Sequence, residues 1–384
     1  MNRLITLDMM RGYALISIMV NHMPASVMRG WTLPNFSIFD ASELFVLLSG
    51  FLVGLVWLSM ERRDGRRAVQ LRFARRAFQV WRAMIIGAVL MALLSAGLLS
   101  LDLRHTAIWN QYAVWVMENP FGYAGSVAVL WLQPNLIDVL AVYVVLIATV
   151  PVLVPVLIRW PLVFGVGSVA LWWFGPDLNA LIPNHRRQGG LLFNPFGWQM
   201  LFYTGVAMGV FRHAMMPRLW PWRHGITVLA AGMFAFGCAI IIAAKFGEPA
   251  LPVRTALRAV YGTIDKWSLD GTRYLAIIAA CWLIAVPLAR PAEWLAATRL
   301  GVAMQQIGRG GLWSFVICVL LSVLADAFQI NPAGRGMAYR LAVDLWACLA
   351  LWWAAVMWLR FGAPAWRDGF SRLKRSNTAQ PAGS

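Results

Sequence analysis

The N-terminal part of the chain places Arg11 and His22 on one apolar stretch and the carboxylates Asp40 and Glu43 at the start of the next. A histidine takes a proton from a hydroxyl near neutral pH and returns it, and a carboxylate beside it fixes the tautomer and steadies the charged form. His22 lies eleven positions after Arg11. At about 100° per residue that is three turns plus about 20°, so on a helix the two face the same way, with His22 about 16 Å further along the axis. Asp8 lies three residues before Arg11 and can neutralise it locally. One face is therefore expected to carry an ion pair at one end and an imidazole at the other. Should the next stretch return across the same layer, Asp40 and Glu43 enter it at the depth of His22, as partners of the imidazole or as interface anchors.

These groups need elements that can hold them, and the composition says which. Apolar types make up 60% of the 384 residues and charged types 13%, the latter about half the usual share. A water-soluble surface cannot be built from so few charges without large exposed apolar patches, so the fold class is an all-α, polytopic membrane bundle. Apolar stretches near 6–27, 41–60, 78–100, 131–157, 160–175, 193–211, 225–244, 272–289, 311–328 and 339–359 suggest about ten spans. The N-terminus looks like an uncleaved first span, because Asp8 and Arg11 interrupt a signal-peptide pattern. Residues 1–360 form the transmembrane domain, and 361–384 a basic, disordered cytoplasmic tail. With the N-terminus inside, 22 of the 33 Lys and Arg fall on the cytoplasmic side, the bias that puts both termini in the cytoplasm. The net charge of +17 then reports orientation, and nucleic acid is not an expected partner. The four cysteines lie singly in apolar stretches and read as small core residues; no metal site is expected.

Other residues could serve the same chemistry. Arg72, Arg75 and Arg76 follow a run that begins at Arg62, and guanidinium forks suit phosphates, as they also suit anionic lipid. Asp138 is a further intramembrane carboxylate, in the site or paired structurally. Asn194, Trp198 and Gln199 open the sixth span; the indole could stack on a sugar whose hydroxyls the amides bind, or lie at the headgroups. Asp326, Arg340 and Asp344 suggest a structural ion-pair set, and Pro151 and Pro155 break the pattern of the fourth span.

The pattern Leu7-Asp8-x-x-Arg11-Gly12 with His22, followed by Phe45-Val46-x-Leu48-Ser49-Gly50-Phe51-Leu52 and a basic loop, resembles the membrane acyltransferase family 3 superfamily. Leu132-Gln133-Pro134-Asn135-Leu136-Ile137-Asp138, Phe193-Asn194-Pro195-Phe196-Gly197-Trp198-Gln199 and Ile307-Gly308-Arg309-Gly310-Gly311-Leu312-Trp313 are similar to its OpgC branch, from about residue 4 to 360. The resemblance implies an enzyme of the bacterial inner membrane that moves an acyl group, succinyl in the type member, from cytoplasmic acyl-CoA to a hydroxyl of periplasmic glucan. It implies no bound cofactor, acyl-CoA being a co-substrate, and membrane lipid and the glycan acceptor as the other partners. By position Arg11 and His22 match the Arg-x10-His pair, and Arg72, Arg75 and Arg76 the basic motif. Asp8 would line the substrate passage with Arg11, while Asp40, Glu43 and Asp138 join His22, as general base or transient acyl carrier, at the reacting end. The alternative reading is a transporter or flippase for a small anion or a glycan lipid, in which intramembrane charges form a pathway; a scaffold without chemistry leaves those charges unexplained.

Overall fold

The computed structural model describes residues 5–106, 110–185, 189–262, 264–331 and 335–362. The expected tail falls outside the described residues from 363 on. Every regular element among the described residues is helical. The first half holds α1 (Ile5–Asn21), α2 (Ala41–Asp64), α3 (Arg66–Ser100), α4 (Asn110–Glu118), α5 (Pro120–Ala128), α6 (Asp138–Arg159), α7 (Pro161–Trp173) and α8 (Gly175–Ala180). The second holds α9 (Pro195–Leu219), α10 (Arg223–Lys245), α11 (Leu251–Tyr261), α12 (Gly271–Ala285), α13 (Ala289–Ala297), α14 (Arg299–Gly310), α15 (Leu312–Ile330) and α16 (Met337–Met357).

Among the described residues, six stretches are long and apolar enough to cross a membrane: Ala41–Asp64, Arg66–Ser100, Asp138–Arg159, Pro195–Lys245, Leu312–Ile330 and Met337–Gly362. The pair α12 and α13, bent by 74°, makes up to seven. The expected ten spans are thus not confirmed. The physical reason is length: α7 has 13 residues, short of the roughly 20 that span a bilayer core, and the described part of α1 has 17, at the lower limit for a span. The 51 residues of Pro195–Lys245 are one helical run by hydrogen bonding, yet the chain turns back within it at Trp220–Trp222. Gly197 lies against Ser268, next to the loop whose Lys266 pairs with Asp40, while Phe234 and Gly237 lie against the neighbouring Phe39 and Ile38. A straight helix would hold Gly197 and Phe234 about 55 Å apart.

Local signals set the ends that matter. Asp40 and Glu43 form a capping box on α2: Ser42 N donates to Asp40 Oδ1 (2.8 Å) and Asp40 N to Glu43 Oε2 (3.1 Å). Gly65, at φ +82°, turns the chain between α2 and α3. Two crossings are made by backbones in contact. A Cβ on Gly50 or Gly54 would overlap the carbonyls of Phe202 or Val206, and one on Gly205 or Gly209 those of Leu47 or Phe51, so α2 and α9 run parallel with no side chain between them. Gly12 meets Met304 O, and Gly308 meets Asp8 O, where α1 crosses α14.

The helix α6 continues through both of its prolines. Pro155 has no N–H to give Pro151 O, and Gln70 Nε2 fills that vacancy from α3 at 2.8 Å. Gln70→Leu leaves this carbonyl without a donor, and should destabilise the detergent-solubilised protein by about 1–3 kcal/mol, read as a lower unfolding midpoint.

Candidate active site

One end of the bundle gathers the charged side chains. There α1 finishes, α2, α6 and α12 begin, and the 264–270 loop comes in between. They enclose a cavity of about 270 Å³ whose lining includes His22, Asp40, Asn135, Asp138, Lys266 and Trp267. Three of the sequence candidates, His22, Asp40 and Asp138, therefore share one space, although they come from three helices.

Beside it lies a buried set of four charges. Lys266 Nζ is 2.5 Å from Asp40 Oδ2. Arg273 Nε donates to Glu43 Oε1 at 2.6 Å, its second nitrogen donates to the same oxygen, and that nitrogen lies 3.9 Å from Asp40. Glu43 is fully buried and Arg273 nearly so. Two acids and two bases cancel, which lets charges sit away from water. Burial opposes ionisation of Asp40, but the Lys266 ammonium outweighs it and holds the carboxyl below the usual aspartate range. Burial likewise opposes charge on Lys266, and the carboxylates of Asp40 and Glu43 raise its pKa nonetheless. The Asp40–Lys266 pair therefore stays ionised across the working pH range.

The imidazole of His22 is oriented by its own helix. Nδ1 lies 2.7 Å from Ile18 O. A carbonyl only accepts, so in the neutral ring Nδ1 carries the proton and Nε2 keeps a lone pair, the form a general base requires. The expectation that Asp40 or Glu43 would orient the ring changes here: both carboxylates are engaged by Lys266 and Arg273, and the orienting acceptor is a backbone oxygen.

The remaining candidates are dispersed. Arg11 lies within α1, 3.9 Å from Asp8 and with its guanidinium 6.0 Å over the ring of Phe45. Arg72 and Arg75 are exposed and Arg76 half-buried on α3, toward the opposite end. With about 36 Å along α2 and about 9–15 Å back along α3, about 21–27 Å of helix axis separates them from Asp40. Asn194, Trp198 and Gln199 lie outside the cavity lining. Asn194 caps α9 by accepting from Phe196 N and Gly197 N. The buried Trp198 gives its indole N–H to Trp267 O (3.0 Å), and Gln199 bonds Ser168 on α7. Asp138 Oδ1 accepts from Val139 N at 2.9 Å. The suspected ion-pair set is instead a hydrogen-bonded one: Asp326 Oδ2 accepts from the backbone and hydroxyl of Thr106, and Asp344 from Met28 N and Gln329.

Lys266, Arg273 and Trp267 escaped the sequence reading. Arg273 carried a signal nonetheless, as a lone guanidinium entering an apolar stretch that must find an acid, with Glu43 the acid in the same position.

A model of the family described as OpgC protein matches residues 3–361. No curated protein and no solved structure matches the chain. With nearly its whole length matched, the chain belongs to the OpgC protein family, which suggests a transferase role in modifying osmoregulated periplasmic glucans.

Proposed function

We propose that the protein is a membrane O-acyltransferase that moves an acyl group, succinyl favoured, from cytoplasmic acyl-CoA to a hydroxyl of periplasmic glucan. The observation that carries this reading is a tautomer-fixed imidazole in a charged cavity at one end of the bundle, with an arginine cluster about 21–27 Å away toward the other. The cavity end then faces the periplasm of a bacterial inner membrane, and both termini lie in the cytoplasm, as the arginine distribution favours.

In this mechanism Arg72, Arg75 and Arg76 hold the CoA phosphates, and the pantetheine arm rises past Arg11. The acceptor hydroxyl gives its proton to His22 Nε2 as its oxygen bonds to the thioester carbonyl carbon. Lys266 has N–H donors beyond the one on Asp40 and steadies the oxyanion. The carbonyl then re-forms, the C–S bond breaks, and the leaving CoA thiolate takes the proton from Nε2. Asp138 accepts from a neighbouring hydroxyl of the sugar.

The test is mass spectrometry of periplasmic glucans from a deletion strain with and without the chain. Glucans that gain the mass of an acyl group only when the chain is present support the reading and identify the group. Glucans unchanged by its presence overturn it.

A further inference from the structure

The segment that supplies Lys266 and Trp267 is tied down from both ends. Asp265 N donates to Asp270 Oδ2 (2.6 Å) and Asp270 N to Asp265 O (3.0 Å), while the Asp265 carboxylate accepts from Trp267 N (2.8 Å) and Ser268 N (3.2 Å). Two indoles fix it from outside: Trp198 donates to Trp267 O at 3.0 Å, and Trp172 to Leu269 O at 2.7 Å. Lys266 is accounted for by Asp40. Trp267 lines the cavity and is 42% exposed; the Lys266 ammonium lies 5.6 Å from its ring centroid, and among the described residues no hydrogen bond engages its N–H. Phe193, which also lines the cavity, props the ring edge-on, with centroids 5.2 Å apart and planes at 68°.

We infer that Trp267 is the stacking surface for one pyranose ring of the acceptor, a neutral, equatorially hydroxylated hexose such as glucose; this rests on the acyltransferase reading and takes over the role expected of Trp198. Such a ring has apolar C–H faces and a rim of hydroxyls. An indole face carries negative charge density that attracts the C–H groups, and the rim finds acceptors in Asp138, Asn135 and the lone pair of His22. The cavity, about 270 Å³, opens at a mouth. A ring stacked on Trp267 inside it leaves the rest of the glucan to pass out through that mouth. A tryptophan acting only as a headgroup anchor needs neither a cavity nor a loop fastened by six hydrogen bonds.

The experiment uses the full chain in lipid nanodiscs free of sugar detergent, a linear β-linked gluco-oligosaccharide as acceptor and acyl-CoA as donor. Trp267→Ala should raise the acceptor KM about tenfold, the scale of one aromatic contact, with kcat within about threefold. Trp267→Phe should recover most of the loss, and the exposed Trp294→Ala, away from the cavity, should change neither parameter. Saturation-transfer NMR with the oligosaccharide alone reads binding without turnover. An unchanged acceptor KM in Trp267→Ala, in a protein that transfers acyl groups, overturns the inference. Sugar binding lost in Trp267→Ala by a protein that transfers nothing keeps the stacking surface and overturns the acyltransferase reading alone.

Discussion

Arg273→Met should leave a protein that reaches the membrane poorly and unfolds well below the wild type. The guanidinium is bonded through two nitrogens to a carboxylate with no access to water. Removing one partner of a buried ion pair costs about 3–5 kcal/mol, because the survivor stays buried and unpaired. That is a large share of the roughly 5–15 kcal/mol that keeps a folded protein folded. The informative variant is the double substitution Glu43→Leu with Arg273→Met. It leaves no unpaired buried charge, since Asp40 keeps Lys266, and should recover most of the loss, short of the wild type by about 1 kcal/mol because Asp40 N loses its capping acceptor. Fluorescence-detected size exclusion after heating measures all three proteins. A double variant no better than Arg273→Met would show that the pair itself does not set the stability.

His22→Ala should lower turnover by about a hundredfold to ten-thousandfold, the range that a positioned general base contributes, while the protein remains in the membrane. The stability cost is small, since the side chain makes one hydrogen bond, to a carbonyl of its own helix, worth about 1 kcal/mol. His22→Gln sharpens the comparison. Its amide can still donate to Ile18 O but cannot take a proton, so it should be as slow as the alanine variant. Arg75→Ala together with Arg76→Ala should instead raise the KM for acyl-CoA, because those residues meet the donor at the other end. Steady-state kinetics with donor and acceptor varied separately distinguish the two patterns, and a loss below about tenfold in His22→Ala would place the base elsewhere.

The helical, membrane character was legible from composition alone, since an apolar run of twenty residues has few fates. The number of crossings was not, because α7 is too short for a span and α1 sits at its lower limit, while 195–245 hides a reversal inside an unbroken helical run. Within the site, the spacing of Arg11 and His22 follows from helix periodicity, but a period says nothing of what lies across the gap. The base facing Glu43 is 230 residues away, and Lys266 sits in a loop whose shape is set by Asp265 and Asp270 rather than by any apolar pattern. Trp198 and Trp267 show the same limit. Both are tryptophans at the same end of the bundle, and only the fold determines that the first is buried and the second lines the cavity.

The glycine crossings have a bearing on how the chain tolerates change over time. Gly50, Gly54, Gly205 and Gly209 touch no substrate in the proposed mechanism, yet any side chain there pushes α2 away from α9, and α2 carries Asp40 and Glu43. Substitutions at these positions should be purged as strictly as those at His22. A survey of permitted substitutions across the chain would then mark two kinds of invariant position, and the larger group would record how close two backbones lie rather than where the chemistry is done.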